Sequence, residues 1–167
     1  MKALIAYFSA SGITKEIALN LQNVAKSAFN EFFSEVQIFE IAPQKPYSKA
    51  DLDWTNENSR TTIECKDKNF RPQMRDSIDI SSFEVIFIGF PVWWYTAPNI
   101  IFSFLESGDF SDKFIIPFCT SGGSEIASCV RDMQKCVQKA IFKEGRRFNF
   151  GENKASLRRF IEGLNLK

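Results

Sequence analysis

The sequence predicts an α/β fold, a three-layer sandwich in which helices cover both faces of a five-stranded parallel sheet. Short apolar runs, typical of strands buried on both faces, alternate five times with segments of helical apolar spacing. Unusual turns follow three of these runs: two are rich in small and hydroxyl-bearing residues, and the one between them in chain order carries three adjacent aromatic residues. In parallel sheets ligands bind beyond the carboxyl ends of the strands, so these turns mark the expected site.

The length and the apolar content bound the class of protein. The 167 residues are expected to form a single domain, residues 1–167, with a sizeable core. No run approaches the roughly 20 apolar residues of a membrane span. The N-terminal residues lead directly into an apolar run and do not resemble a cleavable signal. We therefore expect a cytoplasmic protein with neither a membrane nor a nucleic acid as partner; its oligomeric state is left open, with a homodimer as one option.

The residue types exclude several chemistries. The chain has no histidine, and its four cysteines show no C-x-x-C spacing. We therefore expect no zinc site and no Ser-His or Cys-His catalytic pair. The formal net charge is +1, which is close to neutral. No residue is predicted as a catalytic acid or base.

The first turn lies between a buried apolar run at 3–8 and a helical pattern that begins at Ile13. A short hydroxyl-rich turn at a helix start directs backbone N–H groups and the positive end of the helix dipole at one point, which favours an anion. Glycine lets the backbone approach that ligand closely. An ordinary turn in which Ser11 only caps the helix is the alternative. The candidate residues are Ser9, Ala10, Ser11, Gly12, Ile13 and Thr14.

Two further turns follow the runs at 83–90 and 113–119. One contributes three adjacent aromatic side chains and the other glycines and hydroxyls, so the three turns together predict a site for a phosphate that carries a flat aromatic group. A core or interface cluster is the alternative for the aromatic residues. The candidate residues are Pro91, Val92, Trp93, Trp94 and Tyr95 in the second turn, and Thr120, Ser121, Gly122 and Gly123 in the third.

A polar segment of forty-one residues, 42–82, is longer than an ordinary connection needs. Ser48 is predicted to cap a helix within it, and residues 56–60 to form a break. Its lone tryptophan, Trp54, leads us to expect a lid over the site or part of a partner surface. A solvated surface elaboration is the alternative.

Several of these stretches resemble one known family. Ala6–Thr14, Gly89–Trp94 and Thr120–Ser124 resemble the three flavin-binding loops of flavodoxins and related short-chain flavoproteins. Asp53–Glu64 and the Arg71-Pro72 pair look like a bacterial flavodoxin-like subfamily. The resemblance covers nearly the whole chain. It implies a flavodoxin-like fold with strand order 2-1-3-4-5 and noncovalently bound FMN.

The resemblance also implies roles for the three turns. The first would hold the FMN phosphate, and the other two would meet the edge of the flavin ring that carries the heteroatoms. Trp93 or Trp94 would cover one face of the ring. The flavin itself would carry out any hydride or electron transfer.

Three functions are compatible with this resemblance. The first is an FMN enzyme, an oxidoreductase that takes hydride from NAD(P)H and reduces a quinone-like or other small acceptor. The second is a non-enzymatic electron carrier that serves redox protein partners. The third is a flavin-free regulatory domain. Two departures from the family favour the enzyme over the carrier: the near-neutral charge, and Tyr95 at a position where relatives often have glycine.

Overall fold

The computed structural model describes residues 1–166, which form one parallel sheet and five helices. The strands are β1 (Lys2–Tyr7), β2 (Glu35–Glu40), β3 (Val85–Pro91), β4 (Phe114–Thr120), β5 (Ile141–Phe142) and β6 (Arg146–Phe148). The helices are α1 (Ile13–Ala28), α2 (Arg60–Lys66), α3 (Asn99–Leu105), α4 (Ala127–Cys136) and α5 (Lys154–Glu162). No helix within these residues combines the length and the apolar character needed to cross a membrane.

The sheet has the order β2-β1-β3-β4-β5, and every pairing is parallel. The α/β class and the strand order that the resemblance implied are thus confirmed. The reversal of strand order beside β1 opens a crevice at the carboxyl ends of β1 and β3. Ligands of open α/β sheets bind at such a reversal.

The sequence predicts a weak fifth strand around residues 147–150, whereas this edge of the sheet consists of two short pieces that both pair with β4. The amide of Lys143 donates to the carbonyl oxygen of Ile115 at 2.9 Å, so this part of β4 faces the edge strand. Pro117, two residues further along, faces the same side but has no N–H to donate. The ladder is therefore interrupted between β5 and β6.

Two apolar cores lie on opposite faces of the sheet, as the alternation of strand side chains requires. On one face α1 and α5 pack against Ile5, Phe87 and Phe118. On the other face α3 and α4 pack against Leu4, Ile88 and Cys119, to name only some members of each cluster. Both faces of β1, β3 and β4 are buried, which explains their nearly continuous apolar sequence.

The helix predicted to start at Ser48 is absent from the described residues. Ser48 and Asp51 instead exchange hydrogen bonds within an isolated turn, at 2.8 and 3.1 Å. The helix of this segment begins later, with Ser59 as its N-cap and a hydrogen bond from Thr62 N to Ser59 Oγ. A capping pattern was correctly recognised at Ser48, but the residues after it do not have the apolar spacing that would extend it into a helix.

Candidate functional site

Three loops meet at the carboxyl edge of the sheet: the first loop (9–14) after β1, the second loop (91–96) after β3 and the third loop (120–124) after β4. Backbone hydrogen bonds join their bases. Phe8 N donates to Gly89 O at 2.9 Å, and Val92 N donates to Thr120 O at 3.0 Å. The convergence expected from the strand pattern is therefore present in the structure.

The first loop presents a set of free donors. Gly12 has a φ of +91°, a left-handed conformation that favours glycine, and its amide donates to Ser9 Oγ at 3.1 Å. Within the described residues the amides of Ser11, Ile13 and Thr14 have no protein acceptor. Ser11 does not cap α1, which has no side-chain cap at all. The start of this 16-residue helix thus leaves several N–H groups available to an anion.

A cavity of about 370 Å³ opens beside these donors. Its wall combines hydroxyl and aromatic groups, and none of the described residues that line it carries a titratable side chain. The lining residues are Ala10 and Ser11 from the first loop, Pro91, Val92, Trp93 and Trp94 from the second loop, and Leu52, Trp54 and Thr61 from the 42–82 segment. Among residues 1–166 there is also no cluster of acidic or cysteine side chains that could hold a metal ion. The cavity can therefore bind a ligand but offers no acid or base of its own.

Trp54 is the most exposed of the three residues that the 42–82 segment contributes to this cavity. Its side chain is 74% exposed although it lines the same space as Ser11 and Trp94. Exposure of a large aromatic group beside a cavity is typical of a ligand surface. Leu52 and Thr61 were not anticipated, because nothing in a polar segment without periodicity shows which residues turn toward the sheet.

Trp93 is held in place by other aromatic side chains. Its ring lies 5.3 Å from that of Phe8 and 5.6 Å from that of Tyr47, and both pairs pack edge to face. The hydroxyl of Tyr47 donates to Glu64 Oε2 at 2.6 Å, and the guanidinium of Arg60 lies 4.2 Å from the centre of the Tyr47 ring. Burial, and then the bond to Glu64, raise the pKa of Tyr47 well above its usual value, so it remains a neutral donor. Helix α2 therefore supports the second loop.

The second loop ends in a strained two-residue turn. Trp93 and Thr96 exchange two backbone hydrogen bonds of 3.0 Å. Between them Trp94 has a φ of +46° and Tyr95 a φ of +64°. Such a conformation costs a residue other than glycine about 1–3 kcal/mol. The carbonyl oxygen of Tyr95 accepts a bond of 2.5 Å from Ser128 Oγ on α4, which fixes the turn.

The third loop joins the site at its base. Thr120 is buried, and its hydroxyl lies 2.8 Å from that of Thr14. Ser121 Oγ accepts from Gly123 N at 3.1 Å and donates to Ser124 O at 2.6 Å, which closes the loop on itself. A Cβ atom at either glycine, Gly122 or Gly123, would meet nothing within 4 Å, so this loop faces open space.

The predicted residues therefore fall into three groups. Six of them line the cavity: Ala10, Ser11, Pro91, Val92, Trp93 and Trp94. Ser9, Gly12, Ile13, Thr14 and Thr120 form the base or the donor turn beside it. Ser121, Gly122 and Gly123 do not line this cavity, and Tyr95 lies in a neighbouring one that it shares with Trp94.

Comparison with known proteins extends this description. The family model described as Flavodoxin matches residues 2–164. A protein of Bacteroides uniformis assigned as a flavoprotein is 36% identical, with a TM-score of 0.87 over 96% of this chain and 97% of its own. A similar protein of Bacteroides eggerthii is 35% identical, with a TM-score of 0.88 over 99% of both chains.

A more distant structure shows the same fold. It is a flavoprotein of Lactobacillus acidophilus in complex with FMN, 23% identical, with a TM-score of 0.63 over 87% of this chain and 92% of its own. No curated protein matches the sequence.

Proposed function

Because this chain belongs to the flavodoxin family, we propose that it binds FMN between the three loops and acts as an NAD(P)H-dependent oxidoreductase. The acceptor would be a quinone-like or other small molecule. One observation carries the proposal: free backbone amides at the start of α1 lie beside a cavity with aromatic walls. Within the part of the chain that the structure describes, the residues that line this cavity have no titratable side chains. FMN supplies the redox chemistry when it is bound.

The donor set fits the phosphate of FMN. The free amides of Ser11, Ile13 and Thr14 would hold it, together with the Ser11 hydroxyl, which lies in the exposed part of the turn. No Lys or Arg lies within the first loop. Hydrogen bonds from neutral donors to an anion are charge-assisted and contribute about 1.5–3 kcal/mol each.

The aromatic walls fit the ring. Trp54 and Trp94 would contact it, and Trp93 is kept in place by Phe8 and Tyr47. Aromatic walls also exclude water from the reacting edge, which protects a reduced cofactor from side reactions.

Two features support an enzyme rather than an electron carrier. The net charge of +1 is close to neutral, whereas an electron carrier that docks on basic partners is expected to be strongly acidic. The 42–82 segment also places Leu52, Trp54 and Thr61 on the wall of the flavin cavity, where they would give a small acceptor an apolar surface beside the ring. The carrier role stays as the alternative outcome of the test.

The first test concerns the cofactor. Purified protein should release FMN, identified by mass, and the refolded apoprotein should bind FMN at least tenfold more tightly than riboflavin. Ser11→Ala should weaken FMN about tenfold, which corresponds to about 1.4 kcal/mol, and leave riboflavin unchanged. Equal affinities for the two flavins in the unaltered protein would contradict the phosphate assignment.

The second test concerns the reaction. The loaded protein is mixed anaerobically with NADH and, separately, with NADPH, and flavin absorbance is followed. Rapid bleaching followed by reoxidation with a quinone supports the oxidoreductase. Failure of both nucleotides to bleach a flavin that dithionite does bleach would favour the carrier.

A further inference from the structure

We propose that a second cavity, which we call the helix groove, binds a small aromatic anion such as an aryl carboxylate or sulfonate. Its volume is about 730 Å³, roughly twice that of the cavity beside the first loop, and within the usual range for small-molecule sites. The inference does not depend on the proposed reaction. The lining of the groove includes the charged residues Lys68, Arg71, Glu106, Asp132 and Lys135 and the aromatic residues Trp94 and Tyr95.

The walls of the groove are tied together by hydrogen bonds from two side chains of α3. The amide nitrogen of Asn99, on α3, donates to Glu64 O at 2.8 Å and to Asp67 O at 3.1 Å. Ser103 Oγ donates to Pro72 O at 2.7 Å. These bonds join α3 to α2 and to the segment that follows it. The groove therefore exists before any ligand enters, which lowers the ordering cost of binding.

The strained turn supplies an aromatic surface to the groove. Tyr95 is 76% exposed and Trp94 42% exposed. A left-handed conformation at both residues costs free energy, yet it directs two large aromatic groups outward, where burial repays little of that cost. Strain of this kind is found where backbone geometry serves a ligand. Trp94 is shared with the cavity beside the first loop, whereas Tyr95 lines only the groove, so a flat ring in the groove would stack mainly on Tyr95.

The charges of the groove favour an anion. Arg71 pairs with Glu106 at 2.9 Å, and Lys135 pairs with Asp132 at 3.0 Å. Lys68 has no ion-pair partner within residues 1–166. The charged side chains of the described residues that line the groove, three positive and two negative, therefore sum to +1 beside an aromatic surface.

Two cysteines in the groove do not cancel this charge. Burial raises the pKa of the Cys65 thiol to about 11. Burial, followed by the nearby Glu106 carboxylate, also raises the pKa of Cys136. Both thiols are protonated and neutral near pH 7. The ligand class that fits is thus a ring for Trp94 and Tyr95 with an anionic group for Lys68.

The test uses the full-length, FMN-loaded, ¹⁵N-labelled protein and 2-naphthalenesulfonate as probe. Saturable amide shifts are expected at Lys68, Tyr95 and Lys135. Lys68→Gln should weaken the probe at least fivefold, whereas Lys26→Gln, at the end of α1 on the opposite face of the sheet, should leave its affinity unchanged. The uncharged 2-naphthalenemethanol should bind at least fivefold more weakly than the sulfonate.

The proposal is overturned by absence of saturable shifts, by shifts centred on Ser11 and Trp54, or by release of FMN. It is also overturned if Lys68→Gln and Lys26→Gln have the same effect, or if the charged and uncharged probes bind equally. If the purified protein contains no FMN, the proposed function is contradicted. The same probe titration, carried out on that protein, still tests the groove.

Discussion

The hydroxyl of Thr14 lies 2.8 Å from that of Thr120, although 106 positions separate the two residues in sequence. Both side chains are buried. This pair connects the start of α1 to the end of β4, so the first and third loops cannot move apart without leaving a buried hydroxyl unpaired. Such a group costs about 1–3 kcal/mol.

Thr120→Val should therefore destabilise the protein by about 1–3 kcal/mol, because it leaves the Thr14 hydroxyl without its partner. The double variant Thr14→Val with Thr120→Val removes both polar groups and should be more stable than the sum of the two single effects implies. Urea unfolding of the four proteins measures this. Strict additivity would show that the two hydroxyls do not interact.

Trp54→Ala should weaken FMN by about 1 kcal/mol, the order of an aromatic stacking contribution. It should also raise the fluorescence of bound flavin, because a nearby indole quenches it. Leu19→Ala is the control, since Leu19 is 42% exposed and lies within α1, at a position that lines neither cavity. Equal affinity and fluorescence in the Trp54 variant and the unaltered protein would remove Trp54 from the site.

Tyr95→Gly should be more stable than Tyr95→Ala by about 1 kcal/mol. Alanine retains the Cβ atom that opposes a φ of +64°, whereas glycine adopts this conformation without that penalty. Both variants remove the same exposed ring, so their difference isolates backbone strain. Thermal unfolding of the pair gives the answer, and an alanine variant as stable as the glycine variant would mean that the turn is unstrained.

Stability should fall in alkaline solution because of Cys119. Burial raises the pKa of this thiol from 9.0 to about 12. The folded state therefore favours the neutral form. The contribution of this thiol to the free energy of unfolding is complete below about pH 9 and is lost as the pH rises toward about 12. In that interval the loss approaches about 1.4 kcal/mol per pH unit.

Cys119→Ala provides the comparison for this effect. It should be less stable at pH 7, because it leaves a cavity in the core, yet its stability should decline less steeply between pH 9 and pH 11. Urea unfolding at several pH values measures both slopes. Parallel curves for the two proteins would assign the alkaline loss to other groups.

Local sequence predicted the parts of the molecule that depend on short-range periodicity. The apolar runs of β1, β3 and β4 and the spacing that begins at Ile13 were sufficient for these three strands and for α1. The same runs led to the three loops, because parallel strands end at a common edge.

The remaining parts depend on contacts between distant residues. The path that brings Trp54 beside Ser11 is set by α2, whose Glu64 binds the Tyr47 hydroxyl. No periodicity marks such a path. The residue types of Trp94 and Tyr95 argue against positive φ values, because aromatic residues disfavour this conformation. The signal for it was the glycine that relatives often have in place of Tyr95.

The interruption of the edge strand has a consequence for association between molecules. An unbroken edge offers its free amides and carbonyls to any other extended chain, which is the usual beginning of aggregation. Here that edge consists of a two-residue piece and a three-residue piece. Neither is long enough to template an added strand. The proline in β4 that breaks the ladder thus also protects the protein from growing into a continuous intermolecular sheet on this side.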